Sequence, residues 1–267
     1  MDEAALRPIT DTGGLTISST NVAGFRVHAL EARGSSTDPT SADSVLVAAH
    51  GDGVRLAVID GVTALPETPA WMGLDGAVAG MATVRAALLH TDAVERCLRR
   101  ANRELHRRDL PGRAQLQATV LVADVSAEGR VALVRGCDTE AWALEHGSWR
   151  CLFPPAPREW AIEAWRRTLD AEPWLRSDRV ARWRRESTVW DDPDAWRSHP
   201  IGRFEAPRLE MLELDDGAWE SLLLATDGVG TRERGPEEVD QVARRLLAGD
   251  GDLAQVDQGM VVVERPM

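Results

Sequence analysis

Apolar and polar residues alternate with a period of two along much of this chain and switch to helical spacing in between. Val22 to Leu30 is the first alternating run. Ser44 to Ala49 and Val54 to Ile59 are rich in β-formers and flank Gly51-Asp52-Gly53, the chemistry of a tight hairpin, so they are expected to pair antiparallel. From Leu74 to Leu89 and from Ala93 to Leu105, apolar residues recur every third or fourth position and Ala and Arg predominate, which predicts two consecutive amphipathic helices. Leu116 to Val125 and Arg130 to Val134 return to strand about a turn at Ser126 to Gly129, and Glu140 to Leu144 leads into a turn at Glu145-His146-Gly147. Leu209 to Leu214, Ser221 to Ala225, a helix over Pro236 to Ala248 with proline at its start, and a strand over Met260 to Val263 complete the pattern.

Strands in runs and helices in a pair predict an α+β fold: two antiparallel β-sheets packed as a sandwich and flanked by helices, not a βαβ wheel. Residues 1–20, polar and rich in Thr, Ser and Gly, read as a flexible N-terminal arm, with one domain spanning 21–267. Residues 158–203 change character, because Trp160, Trp165, Trp174, Trp183, Trp190 and Trp196 are interleaved with arginines. Glu159 to Leu169 and Arg179 to Arg185 there have helical spacing, so they read as short helices burying indoles. The other reading is a partner surface in which Arg176, Arg179, Arg182, Arg184 and Arg185 meet an acidic or phosphorylated peptide.

Composition narrows the chemistry. With 43% hydrophobic and 28% charged residues over 267, the chain falls among folded globular proteins. Its net charge of −12 argues against a nucleic-acid partner, since phosphate backbones are held by counter-charge. No run approaches the roughly 18 apolar residues of a membrane helix, and Met1-Asp2-Glu3 is acidic where a signal peptide is basic, so no membrane association and a cytoplasmic location are expected. Cys97, Cys137 and Cys151 form no CxxC, and the histidines no His-x3-His, which removes disulfide frameworks and zinc hydrolases. No Gly-x-Ser-x-Gly elbow is present. Cys97 to Arg103 fits the Cys-x5-Arg spacing of cysteine phosphatases, but it has no glycine and lies in a helical pattern whose N–H groups are already spent.

Two segments share a design. Val58-Ile59-Asp60-Gly61-Val62 and Leu224-Ala225-Thr226-Asp227-Gly228-Val229 are apolar strands that end in Asp followed by Gly. Asp-Gly also makes hairpin turns. Here, however, the first is followed by a Thr/Pro-containing loop and the second by Gly230 and a charged loop, so both stand at strand exits. A rigid strand aims a carboxylate, and glycine lets another atom approach, which suits a hard cation such as Mn²⁺ or Mg²⁺.

These two motifs resemble the Asp-Gly and Ser/Thr-Asp-Gly signatures of the protein phosphatase 2C family. Ser41-Ala42-Asp43-Ser44 resembles its early Asn-Glu-Asp motif, Gly136-Cys137-Asp138-Thr139 its central Gly-Asp-Ser-Arg motif, and Asp257-Gln258-Gly259-Met260 its terminal Asp-Asn before an apolar strand. The resemblance runs from about Val22 to Glu264 with the motifs in order. It implies metal-dependent hydrolysis of phosphoserine or phosphothreonine on a protein, by a water activated between two cations, with a third ion as an option. It implies that Asp60 bridges two metals, that Asp43 and the Gly61 carbonyl serve one, that Asp227 and Asp257 hold the other, and that Asp138 assists a weaker third. Asp60 and Asp227 are then the residues on which catalysis depends.

The chain departs from that pattern at several positions. Ala42 stands where many members carry Glu, Asp38 where the phosphate-binding Arg is usual, Val62-Thr63-Ala64-Leu65 where Gly and His follow the first Asp-Gly, and Glu140 where the central motif has Arg. Phosphate binding would then fall to Arg33 or Arg26. The alternative is a catalytically impaired pseudophosphatase that binds a phosphoprotein or a Ser/Thr kinase; a third reading is hydrolysis of a small phosphate ester.

Overall fold

A computed structural model describes residue 3 and residues 7–11, 15–32, 43–61, 70–107, 116–153, 197–226, 236–250 and 258–265. In chain order these form β1 (Arg7–Asp11), β2 (Leu15–Val22), β3 (Phe25–Ala32), β4 (Asp43–His50), β5 (Gly53–Gly61), α1 (Ala70–Leu88), α2 (Val94–Arg107), β6 (Ala118–Val125), β7 (Val131–Gly136), β8 (Glu140–Glu145), β9 (Ser148–Cys151), β10 (Glu210–Leu214), β11 (Ser221–Ala225), α3 (Pro236–Leu247) and β12 (Gln258–Glu264). The strands build two antiparallel sheets, one ordered β1-β2-β3-β12-β11-β8-β9 and the other β10-β7-β6-β5-β4.

Alternation along the strands explains the layering. On β5, Val54, Leu56 and Val58 point into the core between the sheets, where they meet Val27, Ala29, Leu222, Leu224, Val261 and Val263 of the other sheet. Ala57 and Ile59 point the opposite way, against Val84 and Leu88 of α1 and Leu98 and Leu105 of α2. On the far face of the larger sheet, Leu30, Leu223, Met260 and Val262 pack under Val239, Val242 and Leu246 of α3. The layers therefore run helix pair, five strands, seven strands, helix, which is the flanked sandwich the pattern predicts.

The helix pair is fastened at one end by Arg55. Its side chain is wholly buried, its Nε and Nη2 donate to Asp124 at 2.6 and 2.7 Å, and it reaches the carbonyls of Leu88, His90 and Asp92 at 2.9–3.1 Å. Those carbonyls lie at and beyond the C-terminus of α1, where a cation is favoured. Burial works against this guanidinium's charge, and the Asp124 carboxylate more than offsets it, so its pKa is raised.

Two expectations change. The arm expected over 1–20 contains β1 and most of β2, and β2 pairs with β3 along its whole length. Thr16 and Thr20 are strand formers, Ile17 is fully buried, and Ser18 and Ser19 are carried by pairing with Ala29 and His28 of β3. The run from Val22 to Leu30 is also broken, because Ala23 and Gly24 turn with φ of 51° and 87°. Two consecutive positive φ values make the two-residue turn that matches strand twist. The same turn occurs at His146-Gly147, as the sequence indicates. Most of the Trp/Arg-rich stretch, with both helices expected in it, lies outside the described residues. Among the described residues, no helix is long and apolar enough to cross a membrane.

Candidate metal centre

The strand registers collect one end of every motif. Asp43 of β4 stands opposite Asp60 of β5, Asp60 opposite Thr119 of β6, and Gly61 opposite Ala118. Val120 opposes Gly136, so β7 leaves at the same end toward Asp138. In the other sheet Ala225, the last residue of β11, pairs with Glu140 and with Met260. All these strands enter or leave at one end of the sandwich.

Facing direction separates the residues. Asp43 shares a face with Val45 and Val47, Asp60 with Val54 to Val58, and Thr119 with Leu121 and Ala123, all turned toward the second sheet. Thr226 extends the Leu222 and Leu224 face toward them, and its hydroxyl donates to Asp43 Oδ2 at 2.8 Å. The same hydroxyl accepts the Gly259 N–H at 3.0 Å, while Thr226 N–H donates to the Gly259 carbonyl at 3.0 Å. One side chain thus joins β11, the start of β12 and β4 across the two sheets. Glu31 of β3 adds a second tie by accepting the Val45 N–H at 2.8 Å.

Asp43 is buried, 8% exposed, and Asp60 is half-buried, so two carboxylates share a partly dry end. Like charges in such a place repel, and a bound cation relieves them. Asp138, half-buried in the turn after β7, has an Oδ1 atom that is shielded from water and has no hydrogen-bond partner. An unspent anionic oxygen of this kind fits a hard cation. The turn is held in an unusual shape: Cys137 has φ of 77°, and its N–H donates to Ser198 Oγ at 3.0 Å. At Gly61, a Cβ would fall 2.3 Å from the Ala77 carbonyl oxygen, so only glycine lets α1 lie this close to β5.

Asp227, Asp257 and Arg33 lie outside the described residues. Asp227 directly follows Thr226, and Asp257 comes two residues before Gly259, the pair of positions just described as hydrogen-bonded. Among the described residues, no group of three or more His, Cys, Asp or Glu side chains stands together as a metal-holding set. The oxygen donors of the paired Asp43 and Asp60 and the unpartnered Asp138 Oδ1 are of the kind a divalent cation takes.

Other candidates are placed elsewhere. Arg26 lies at the opposite end of β3, pairs with Glu264 at 3.9 Å and stands far from Asp60's end, because β3 runs toward the site and Arg26 is near its start. Glu140 turns to the α3 side, where it receives the Trp142 indole N–H at 3.4 Å. Cys97 is buried inside α2, and burial pushes its thiol up despite the nearby Arg55 cation, so it is no thiolate nucleophile. Two arginines near the site end are engaged: Arg85 of α1 holds Ser44 Oγ, the Val45 carbonyl and Glu3, and buried Arg135 binds Glu210, with Nε to Oε2 at 2.8 Å. The ties made by Thr226, Glu31 and Arg85 were not read from the sequence. Thr226 stood in a quoted motif, but nothing in a linear reading points its hydroxyl at position 43.

No sequence-family profile matches the chain, and no curated protein matches it by sequence. Solved structures do match. The serine/threonine phosphatase PstP of Mycobacterium tuberculosis is 17% identical with a TM-score of 0.57 over 91% of this chain and 99% of its own. RsbX, solved with magnesium, is 11% identical with a TM-score of 0.55 over 93% and 98%. The Ser-Thr phosphatase MsPP of Mycobacterium smegmatis, solved with cacodylate, is 16% identical with a TM-score of 0.55 over 90% and 97%. The two antiparallel sheets and their flanking helices are thus those of the protein phosphatase 2C fold.

Proposed function

We propose that the protein is a metal-dependent phosphatase that hydrolyses phosphoserine or phosphothreonine on a protein substrate. The observation that carries this reading is the meeting of Asp43 and Asp60 on adjacent strands with Thr226 of the opposite sheet. When bound, two Mn²⁺ or Mg²⁺ ions, with a third as an option, would supply an activated water and neutralise phosphoryl charge. Asp60 would bridge the two ions, Asp43 and the Gly61 carbonyl would hold one, Asp227 and Asp257 the other, and Asp138 would offer its unpartnered oxygen to a third. Arg33 is assigned to the substrate phosphate. The magnesium in the RsbX structure supports the choice of cation, and the absence of an apolar membrane-length helix among the described residues agrees with a cytoplasmic setting.

Turnover of p-nitrophenyl phosphate and of a phosphothreonine peptide with Mn²⁺ tests the assignment. Asp60→Asn and Asp227→Asn are each expected to reduce kcat at least about 100-fold, because both ions and the water they activate depend on those carboxylates. Full activity in either variant sinks it. A second reading, a pseudophosphatase that binds a phosphoprotein or a kinase, is favoured by one observation: Arg85 and Arg135, two of the described arginines toward this end, are both engaged, and position 38 is Asp. Phosphopeptide binding without turnover in the wild type would select it.

A further inference from the structure

The turn that carries Asp138 is held in a shape its own residues disfavour. Cys137 has φ of 77°, a left-handed value that a residue with a β-carbon rarely adopts, and such strain persists only where the surroundings over-determine it. Those surroundings come from 61 positions further along the chain. Ser198, wholly buried, accepts the Cys137 N–H on its Oγ at 3.0 Å, and the same Oγ lies 3.4 Å from the Cys137 carbonyl oxygen. It also lies 3.3 Å from Glu210 Oε2, the oxygen that Arg135 grips with Nε at 2.8 Å and again with Nη2. A hydroxyl has one proton to give and a carboxylate is the stronger acceptor, so Glu210 turns the Ser198 lone pairs toward the Cys137 N–H. Arg135 has no exposed side-chain surface, and its Nη1 donates to the Thr139 carbonyl at 3.4 Å. Asp138 is thus gripped on both sides, at 137 through Ser198 and at 139 through Arg135, and between those grips its Oδ1 is shielded from water and has no hydrogen-bond partner. The grips go to backbone groups of the neighbouring residues, so they set where the carboxylate points and not its charge.

We infer that Ser198 is a positioning residue for Asp138: its hydroxyl, oriented by the Glu210–Arg135 ion pair, holds Cys137 in the left-handed conformation from which Asp138 presents an unspent oxygen to a cation. The inference rests on the metal-centre reading proposed above and deepens it at the third ion. Without the hydroxyl, the Cys137 N–H loses that acceptor and the strain at residue 137 is less opposed, so the turn relaxes and the carboxylate moves off its aim. Removing an outer partner that aims a metal ligand typically weakens the metal about 10–100-fold.

Ser198→Ala, Cys137→Gly and the double variant test this in the full-length protein, with Asp138→Asn and Asp60→Asn as controls. Calorimetric titration with Mn²⁺ alone reads each binding step, and Asp138→Asn identifies the step that depends on residue 138. Ser198→Ala is expected to weaken that step about tenfold and to leave the steps that Asp60→Asn abolishes within about threefold of wild type. Glycine takes a φ of 77° without strain, so adding Ser198→Ala to Cys137→Gly is expected to weaken the same step by no more than about threefold. A purely structural role predicts a lowered Tm with every Mn²⁺ step unchanged or all steps weakened alike, and either result overturns the inference. Equal losses from Ser198→Ala in the cysteine and glycine backgrounds overturn it too. If Asp138→Asn changes no step while Asp60→Asn abolishes binding, the assignment of Asp138 falls, this inference falls with it, and the metal centre stands. Wild type that binds no Mn²⁺, or Asp60→Asn that binds it as well as wild type, overturns the metal-centre reading itself.

Discussion

Thr226→Val isolates the tie between the two sheets, since valine keeps the side-chain shape and removes only the hydroxyl. Two partners lose by it. Asp43, 8% exposed, loses a charge-assisted hydrogen bond of 2.8 Å, and such bonds contribute about 1.5–3 kcal/mol. The Gly259 N–H loses its acceptor at 3.0 Å, and a buried unpartnered amide costs about 1–3 kcal/mol. The two losses share one hydroxyl, and the Thr226 N–H bond to the Gly259 carbonyl survives to let the backbone adjust, so the sum is not reached. The expected destabilisation is about 3 kcal/mol, which for a domain of this size lowers Tm by roughly 5–10 °C. Urea denaturation and calorimetry measure it directly. Thr226→Ser should recover most of the loss, because the oxygen returns. A Thr226→Val protein within about 0.5 kcal/mol of wild type, or a serine variant as unstable as the valine one, refutes the claim that this hydroxyl fastens β4 to β11.

Three further outcomes are expected. Gly61→Ala should lose about 3 kcal/mol in denaturant unfolding, because the new methyl meets the Ala77 carbonyl at 2.3 Å and both partners are backbone. Ala23→Asn should gain roughly 0.5–1 kcal/mol, since Ala23 is exposed with φ of 51° and asparagine tolerates that region better in a turn before glycine. His28 should make stability pH-dependent. It is 1% exposed, its ring nitrogens have no partners, and burial, helped by the nearby Arg26 charge, holds its pKa below 6.5. The folded state thus binds fewer protons than the unfolded one below that value. Its stabilising contribution is present above about pH 6.5 and is lost as pH falls from there to the depressed folded pKa, at no more than about 1.4 kcal/mol per pH unit. Urea midpoints across that range should slope less in His28→Leu than in wild type.

The layered fold was legible because core strands advertise themselves: Val45 to Ala48, Val54 to Ile59 and Leu222 to Ala225 are nearly all apolar and bounded by turn residues. β1 and β2 escaped notice because an outer pair such as Ser18 and Ser19 carries a strand on backbone pairing with little apolar signal. At the site, Asp60 could be named from its position at a strand end and Asp43 only from the resemblance of its motif, and the registers place them opposite one another. The Thr226 hydroxyl could not. Thr226 looks like an ordinary β-former in the chain, and its bond to Asp43 spans 183 residues, a distance that only the packing of one sheet on the other closes. The Cys97 spacing motif shows the reverse: a match in one dimension that the helix around it leaves without chemical meaning.

The close seating of α1 on Gly61 also bears on how a dipeptide should be interpreted across distant sequences. Steric need alone preserves the glycine, since the helix would be displaced by any β-carbon there. A descendant of this architecture that had ceased to turn over substrate would keep that half of the pair for as long as it kept its shape. Retained glycine is therefore a marker of how the helix sits on the strand, and by itself says nothing of catalysis.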